Sequence, residues 1–284
     1  MAKKAQSRRL TSQHKQSHGV EGIFGDEAKA HDTEVSNVSK NVLKRLAKTY
    51  PVLSFRYRDA IAKKEINDAL KTVDASLGQT LFVHDAKIKP DGGIIEVLDD
   101  VGNWRVVLVS EAKHQGKDIE NIVAGKLVGK KNVQDLMVAG NAIERAHKNI
   151  SEIANFMLGE QHFPYVLFLE GSNFLMHDVT INRPDGRKVR LRYNSGALNR
   201  LDRLTAANYG MPINENLCKN KFVTVGDAYI MLQAASIYTQ GDGKRWSERK
   251  MADVMFAVAN TSLQMLGRDL FKQMSADRKK GNRK

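Results

Sequence analysis

Apolar residues recur with helical spacing in several stretches of the chain. The clearest stripe lies within residues 33–48 and stops before Pro51, which ends a helix because it lacks a backbone N–H. Its members are Val35, Val38, Val42, Leu43 and Leu46. Residues 18–31 and 59–71 are also predicted to be helical. A further helix is predicted to begin near Ala142, because apolar residues follow at the same spacing, namely Ile143, Ala146, Ile150, Ile153, Ala154 and Met157.

Short apolar runs of strand length lie between the predicted helices. Residues 93–97 and 104–109 flank the polar turn DDVGN, a pattern typical of a β-hairpin. Residues 80–83 and 164–169 are predicted to be two further strands. Because strands and helices alternate, the sequence predicts an α/β fold in which helices flank a mixed central sheet.

The composition is that of a globular protein in a reducing compartment. Of the 284 residues, 42% are hydrophobic, which is enough for a large core, and there is a single cysteine, Cys218. One cysteine excludes a disulfide framework within the chain and a cysteine-rich zinc site. No apolar stretch has the length of a signal peptide or a membrane span, so we expect a soluble cytoplasmic protein.

The formal net charge of +13 is concentrated at the two ends of the chain. Residues 1–20 contain five basic residues and no acid, and residues 275–284 contain five basic residues against Asp277. We therefore predict a basic arm at residues 1–15, a single domain at 16–274 and a basic tail at 275–284. Such ends usually bind polyanions, most often nucleic acid. The alternative for the C-terminal end is a tail that is not native or serves only solubility.

Two groups of residues at the ends of the predicted hairpin can form a metal site. Pro90-Asp91-Gly92-Gly93 leads into the first strand, and Glu111-Ala112-Lys113 follows the second. Residues two apart in a strand face the same side, so Glu111 and Lys113 are predicted to point together, with Asp91 at the same sheet edge. Carboxylate oxygens suit Mg²⁺, and a neighbouring lysine can orient water or stabilise a phosphate under attack.

Each half of this pattern also has a structural interpretation. Pro-Asp-Gly is a common turn sequence, and Glu-x-Lys occurs by chance in many chains. The chain contains a second copy of the turn, Pro184-Asp185-Gly186, with no Glu-x-Lys in the residues that follow it. We interpret that copy as a hairpin turn. The first copy is therefore either a metal site or a structural turn with exposed charges.

The predicted helix near Ala142 has two interpretations as well. Asn141 can be an N-cap, and with Glu144 three residues later it resembles a capping box. Alternatively, Asn141 and Arg145 lie at a helix start that enters a DNA major groove, where asparagine can pair with adenine and arginine with guanine. The periodicity leaves both interpretations open.

Five longer sequence blocks resemble one enzyme family. They are KPDGG, VSEAKHQGKDI, AGNAIERAHKNISEIANFM, FPYVLFLEGSNFL and YNSGALNRLDRLTAANYGMPIN. Together they resemble the EcoRI family of type II restriction endonucleases, within the PD-(D/E)xK nucleases, and the resemblance covers about residues 10–271. It implies a restriction-endonuclease-like core with DNA-wrapping arms, one of which is a hairpin at residues 176–192.

The resemblance implies a role for each candidate residue. Asp91 and Glu111 match the family's metal-binding carboxylates, Ala112 its backbone ligand and Lys113 its catalytic lysine. Positions of the family that recognise DNA match Met137, Asn141, Ala142, Glu144, Arg145, Arg200 and Arg203, and Glu144 and Arg145 also couple the two subunits. One departure is Val138, where the family has alanine, and it bears on discrimination at the outer base pairs.

The activity that the resemblance implies is Mg²⁺-dependent hydrolysis of one phosphodiester in each strand of GAATTC, which leaves 5′-phosphates. A palindrome has a two-fold axis, so a homodimer presents one metal site to each strand of double-stranded DNA. A cognate adenine methyltransferase acting on the same site would protect the host. Two alternatives stay open, namely a structure-selective repair nuclease with the same carboxylates and a DNA-binding protein without catalysis.

Overall fold

Four segments of the chain, residues 26–79, 85–126, 142–193 and 197–267, are described by the structure, a computed structural model. For residues 26–32, 142, 144 and 197–200 the description covers the backbone alone. The predicted N-terminal arm, the predicted C-terminal tail and the predicted strand at residues 80–83 lie outside the described residues, as do residues 18–25 of the helix predicted at 18–31.

Helices and strands alternate along these segments. The helices are α1 (Asp26–Thr49), α2 (Lys63–Val73), α3 (Asp118–Val123), α4 (Ala142–Phe156), α5 (Ala197–Ala207) and α6 (Glu248–Met265). The strands are β1 (Phe55–Arg58), β2 (Ile61–Ala62), β3 (Lys87–Ile88), β4 (Ile94–Leu98), β5 (Trp104–His114), β6 (Tyr165–Glu170), β7 (Val179–Asn182), β8 (Lys188–Leu191), β9 (Lys221–Val225), β10 (Ala228–Leu232) and β11 (Ser236–Thr239). None of the described helices is long and apolar enough to cross a membrane.

Five of the strands form one mixed central sheet in the order β1, β4, β5, β6, β11. The pairs β1–β4 and β4–β5 are antiparallel, whereas β5–β6 and β6–β11 are parallel. The long strand β5 pairs with β4 as far as Val109 and with β6 from Val109 to His114. Among the described strands, the second half of β5 therefore pairs with β6 alone, and this half carries the Glu-Ala-Lys sequence.

Helices cover both faces of the central sheet, which confirms the predicted α/β fold. The core between the sheet and helices α1 and α6 includes Val38, Leu46, Phe168 and Met255. The core between the other face and helices α2, α4 and α5 includes Ile66, Ile153, Leu167 and Leu204. An extra residue in β5, Val107, forms a bulge opposite β4 and thereby sets the face toward which Val109 and Glu111 point.

Most of the predicted elements are confirmed, and two boundaries are wrong. The hairpin at residues 93–109, the strand at 164–169 and the helix from Ala142 all form. Helix α1 contains the stripe at 33–48 and is continuous with residues 26–31, so the predicted break between the helices at 18–31 and 33–48 is absent. The helix predicted at 59–71 begins only at Lys63, because Ile61 and Ala62 pair with β3 as the short strand β2. Glu65 accepts a hydrogen bond from Ala62 N–H (3.0 Å), and this contact caps the helix at its later start.

Two smaller hairpins stand apart from the central sheet. Strands β7 and β8 form the hairpin predicted at residues 176–192, with the second Pro-Asp-Gly sequence at its turn. Strands β9 and β10 form another hairpin, which the sequence analysis did not predict. Both hairpins are antiparallel pairs, and each is its own two-stranded sheet.

Candidate active site

The turn that carries Asp91 is fastened to β5 by backbone hydrogen bonds. Gly92 N–H donates to the Ser110 carbonyl (2.9 Å), and Ser110 N–H donates to the Gly93 carbonyl (3.1 Å). Gly93 has a φ of +73°, and a Cβ on Gly92 would lie 2.2 Å from the Ser110 hydroxyl oxygen. The two glycines therefore permit a close approach that larger residues would prevent, and Asp91 comes to lie beside the end of β5.

Asp91, Glu111 and Lys113 meet at one point. Lys113 Nζ lies 2.5 Å from Asp91 Oδ2 and 2.5 Å from Glu111 Oε1. The Glu111 side chain is fully buried, whereas those of Lys113 and Asp91 are 15% and 21% exposed. The structure thus brings together the two carboxylates and the amine that the sequence analysis placed at one sheet edge, with Asp91 and Lys113 within reach of solvent.

Burial governs the charges at this point. It raises the pKa of Glu111 to about 7, although the Lys113 ammonium beside the carboxylate acts to lower it. Burial acts to lower the pKa of Lys113, but the charges of Glu111 and Asp91 more than offset this, so that the pKa lies above its ordinary value. Glu111 is therefore a carboxylate that depends on a nearby cation to stay charged at neutral pH.

Two further residues contact Glu111, and the sequence analysis missed both. Asn149 Nδ2, on α4, donates to Glu111 Oε1 (3.0 Å), and the Tyr165 hydroxyl, on β6, donates to Glu111 Oε2. The sequence marks them only weakly. Tyr165 is a hydroxyl-bearing residue within the apolar run FPYVLFLE, and Asn149 is an amide residue among the apolar positions of a predicted helix. These two contacts supply a hydrogen bond to each oxygen of the Glu111 carboxylate, and Lys113 shares Oε1 with Asn149.

The arrangement fits a divalent cation held by oxygen ligands. The Lys113 ammonium already occupies the point where the two carboxylate charges converge. Hydrogen bonds alternate between the two edges of β5, and because the Ser110 backbone pairs toward the Asp91 turn, the Ala112 carbonyl points to that edge too. Two carboxylates and one carbonyl are few ligands and all are oxygen atoms, so this set suits a hard ion that keeps several waters.

The residues that the resemblance assigned to DNA recognition lie partly on α4. Ala142, Glu144 and Arg145 belong to the first turn of this helix, and the Arg145 side chain is exposed. At Ala142 and Glu144 only the backbone is described. Met137, Val138 and Asn141 lie outside the described residues, so the interpretation of Asn141 as helix cap or base contact stays a prediction.

The second arginine segment lies on α5, next to α4. Arg200 and Arg203 both belong to α5; the Arg203 side chain is exposed, and only the backbone is described at Arg200. The His147 ring, on α4, donates a hydrogen bond to the Arg203 carbonyl, and partial burial lowers the pKa of this histidine. The contact ties the two helices together and places their arginine segments on adjacent elements.

The β7–β8 hairpin is anchored to the two residues Gly125 and Lys126, which follow α3. The Arg183 guanidinium donates to the carbonyl oxygens of Gly125 (2.7 Å) and Lys126 (3.4 Å), just after α3. At the tip, Asp185 accepts a hydrogen bond from Arg187 N–H (3.0 Å), as expected for a turn. The second Pro-Asp-Gly sequence is therefore a hairpin turn, as predicted.

Comparisons with known proteins place the chain in a family over nearly its whole length. The family described as restriction endonuclease EcoRI matches residues 17–273. The type II restriction enzyme EcoRI of Escherichia coli is 69% identical over 276 residues, which are 97% of this chain and 100% of that enzyme. The type II restriction enzyme RsrI of Cereibacter sphaeroides is 49% identical over 267 residues, which are 94% of this chain and 96% of that enzyme. The chain therefore belongs to the EcoRI family of type II restriction endonucleases, sequence-specific enzymes that cut double-stranded DNA with the help of a divalent metal ion.

Proposed function

We propose that this enzyme cuts both strands of the palindrome GAATTC as a Mg²⁺-dependent homodimer and leaves 5′-phosphates. The observation that carries the proposal is the convergence of Asp91 and Glu111 on Lys113 Nζ, 2.5 Å from each carboxylate. The identity of 69% to the EcoRI enzyme of Escherichia coli supports the same target sequence.

In the proposed reaction Asp91, Glu111 and the Ala112 carbonyl would hold the Mg²⁺ ion. When bound, the ion would supply positive charge to the scissile phosphate and make a water more acidic. The Lys113 ammonium, which lies next to both carboxylates, would orient the attacking water or stabilise charge on the phosphate. The water oxygen attacks phosphorus in line and loses a proton to solvent. The bond from phosphorus to O3′ breaks, O3′ takes up a proton, and the products are a 3′-hydroxyl and a 5′-phosphate.

Recognition of GAATTC is proposed to come from the segment before α4, the first turn of α4, and α5. Asn141 contacts adenine, with Met137 and Ala142 beside it, and Val138 tunes discrimination at the outer base pairs. The remaining recognition positions form a charged cluster near the DNA: Glu144, Arg145, Arg200 and Arg203. The exposure of Arg145 and Arg203, on helices that contact each other, supports this cluster. The basic ends at residues 1–15 and 275–284, on either side of the domain at 16–274, add sequence-independent attraction to phosphates.

A homodimer is proposed because the described part of one chain offers one candidate metal site, whereas a palindromic duplex presents two scissile phosphates related by a two-fold axis. The β9–β10 hairpin offers apolar surface for such contact, since Phe222 and Tyr229 are exposed on one of its faces, and Val225 and Ile230 on the other. Exposed apolar residues on both faces of a hairpin favour a role in a protein interface. Glu144 and Arg145 would then couple the two subunits near the DNA.

In its cellular setting, the enzyme is proposed to act in the cytoplasm beside a cognate adenine methyltransferase. The methyltransferase modifies adenine in the same GAATTC site and so protects the host DNA. The two enzymes share a substrate and need not contact each other.

Digestion of a plasmid with Mg²⁺ tests the proposal against its alternatives. A plasmid with several GAATTC sites is expected to give discrete fragments whose ends ligate to GAATTC-cut DNA. A structure-selective repair nuclease would give nicks or a smear instead, and a DNA-binding protein without catalysis would leave the plasmid intact. The same digestion of a plasmid in which every GAATTC site carries one substituted base is the matched control, and cutting of that plasmid at the same rate would overturn the proposed target.

A further inference from the structure

The Glu111 carboxylate is held by neutral donors from two elements besides its own strand. Asn149 Nδ2 donates to Oε1 (3.0 Å) from α4, and the Tyr165 hydroxyl donates to Oε2 from β6. Lys113 shares Oε1, at 2.5 Å. The orientation of the carboxylate is therefore fixed from two sides even if Lys113 moves away.

Tyr165 is built to hold a single orientation. Its side chain is fully buried, and its ring stacks on Phe163 with the centroids 5.7 Å apart. Strand β6 pairs in parallel with β5, with Tyr165 opposite Val109 and Leu167 opposite Glu111, so the tyrosine lies next to Glu111 on the same face. A buried phenol hydroxyl needs a hydrogen-bond partner, and here the partner is the carboxylate.

Asn149 joins the same carboxylate to α4. It lies one helical turn after Arg145, on the same side of the helix, about 6 Å along the axis. Neighbouring positions of α4, Ile143, Ala146 and Ile153, are buried in the core, so the helix is seated firmly on the sheet. The helix that begins beside the proposed base contacts therefore also touches a residue of the candidate metal site.

We propose that Asn149 and Tyr165 are positioning residues of the cleavage reaction, which together hold the Glu111 carboxylate in the orientation that a divalent ion requires. The inference rests on the proposed function, because it takes Glu111 as a metal ligand. Hydrogen bonds to a metal-binding carboxylate orient it, and removal of such a partner typically weakens metal affinity or activity by about 10 to 100-fold. Because Asn149 belongs to α4, the position of this helix on the sheet also determines the orientation of the Glu111 carboxylate.

The test uses two variants, each with a matched control. Tyr165→Phe removes only the hydroxyl and keeps the stacked ring, and Tyr50→Phe removes a hydrogen-bonded hydroxyl whose partner is Asn260, away from the site. Asn149→Ala removes the amide, and Asn155→Ala makes the same change at an exposed position of the same helix. Three quantities are measured: the melting temperature, the affinity for a GAATTC duplex without metal, and the affinity of the protein–duplex complex for Ca²⁺ by calorimetry. Single-turnover cleavage over a range of Mg²⁺ concentrations adds the half-maximal concentration and the limiting rate.

Tyr165→Phe and Asn149→Ala are expected to weaken Ca²⁺ binding, and to raise the half-maximal Mg²⁺ concentration, by about 10 to 100-fold. The affinity for the duplex without metal and the melting temperature should equal those of the control variants. Asn149→Gln, which keeps an amide donor, should retain more Ca²⁺ affinity than Asn149→Ala. Metal affinities equal to those of the controls would overturn the inference. Loss of metal-free duplex binding beyond that of the controls would also overturn it, because that loss would assign the residue to recognition.

Glu111→Gln separates this inference from the proposed function on which it rests. If Glu111→Gln loses Ca²⁺ binding while Tyr165→Phe and Asn149→Ala keep it, the positioning role alone is wrong. If Glu111→Gln binds Ca²⁺ as tightly as the unmodified enzyme, the metal site itself is wrong, and the positioning role falls with it.

Discussion

Gly92 and Ser110 are joined so closely that the Asp91 turn is effectively part of β5. The Gly92 N–H donates to the Ser110 carbonyl (2.9 Å), and a Cβ on Gly92 would lie 2.2 Å from the Ser110 hydroxyl oxygen and 3.0 Å from its carbonyl oxygen. Ser110 immediately precedes Glu111, and its hydroxyl is also hydrogen-bonded to that of Ser39 on α1 (2.7 Å). The distance between the two carboxylates is thus set by this backbone contact.

Gly92→Ala should therefore displace Asp91 and reduce cleavage more than it reduces DNA binding. A misplacement of about 1 Å in a reacting group can lower a rate by about 100-fold, and we expect a loss of that order in the single-turnover rate. Specific binding to a GAATTC duplex without metal should change little. The comparison is made by rapid-quench cleavage and by fluorescence anisotropy on the same preparation.

Gly102→Ala is the matched control for this change. Gly102 has a positive φ, +90°, so alanine strains the backbone there, but no atom outside its immediate neighbours lies within 4 Å of a Cβ built at this position. Gly92→Ala instead introduces a close contact with Ser110, so a cleavage loss of the same size in Gly102→Ala would contradict a specific role for that contact. Partial recovery of the rate in Gly92→Ala combined with Ser110→Gly would support it.

Lys113→Ala is expected to separate binding from chemistry. The ammonium neutralises two carboxylates in the metal-free protein, and in the proposed reaction it acts on the attacking water or the phosphate. Removal of one group that stabilises charge developing in the transition state typically lowers a rate by about 10² to 10³-fold, and we expect a loss in that range at saturating Mg²⁺. Specific duplex binding without metal should survive.

Lys64→Ala provides the control for Lys113→Ala. Lys64 is an exposed lysine on α2 that pairs with Asp68 (2.7 Å). The Lys64→Ala variant should cleave at the rate of the unmodified enzyme. Cleavage by Lys113→Ala at the rate of Lys64→Ala would remove Lys113 from the proposed mechanism.

Part of the candidate site could be predicted from the sequence because its main features are local. The Pro-Asp-Gly-Gly turn, the hairpin and the Glu-x-Lys at a strand end each occupy a short stretch, and the two-residue repeat of a strand predicts that Glu111 and Lys113 share a face. Asn149 and Tyr165 were missed because their contacts with Glu111 span 38 and 54 positions along the chain. Nothing local marks such a contact; it exists only after α4 and β6 pack against β5.

The same reason accounts for the misplaced start of α2. Residues 59–62 continue the helical spacing of apolar residues, yet Ile61 and Ala62 pair with β3, and the Lys63 N–H donates to the Ala86 carbonyl (2.9 Å). Pairing with a distant strand outweighs a local preference. The β9–β10 hairpin was likewise missed, since its exposed apolar residues do not alternate with polar ones as in a half-buried strand.

Tyr229→Asp should weaken the proposed dimer. Tyr229 is 79% exposed on the β9–β10 hairpin, so a charge there has little effect on the folded chain itself but is costly once a partner covers it. We expect dimerisation to weaken by at least about tenfold, which corresponds to ~1.4 kcal/mol. Sedimentation velocity over a range of protein concentrations measures the effect, and cleavage of both strands in one binding event should fall with it.

Val101→Asp is the corresponding control, because Val101 is 75% exposed but lies in the turn between β4 and β5, apart from the hairpin. The Val101→Asp variant should dimerise as strongly as the unmodified protein in sedimentation velocity. If Tyr229→Asp and Val101→Asp give identical dimerisation, the β9–β10 hairpin is not part of the interface.

Methylation of adenine at N6 should block cleavage through the base contact proposed for Asn141. An asparagine that accepts a hydrogen bond from the N6 amino group and donates to N7 needs an unmodified amino group in the major groove. An N6-methyl group either removes the bonded hydrogen or places a methyl against the start of α4, and any polar group left buried without a partner adds to the loss. The loss is about 1–3 kcal/mol for each half-site, so methylation of the inner adenines in both strands should weaken the specific complex by roughly 30-fold or more.

The measurement compares cutting of methylated and unmethylated GAATTC duplexes that are otherwise identical, with a duplex methylated outside the site as the control. Equal cutting of all three duplexes would mean that Asn141 does not contact that adenine edge, and the residue would then be interpreted as the N-cap of α4.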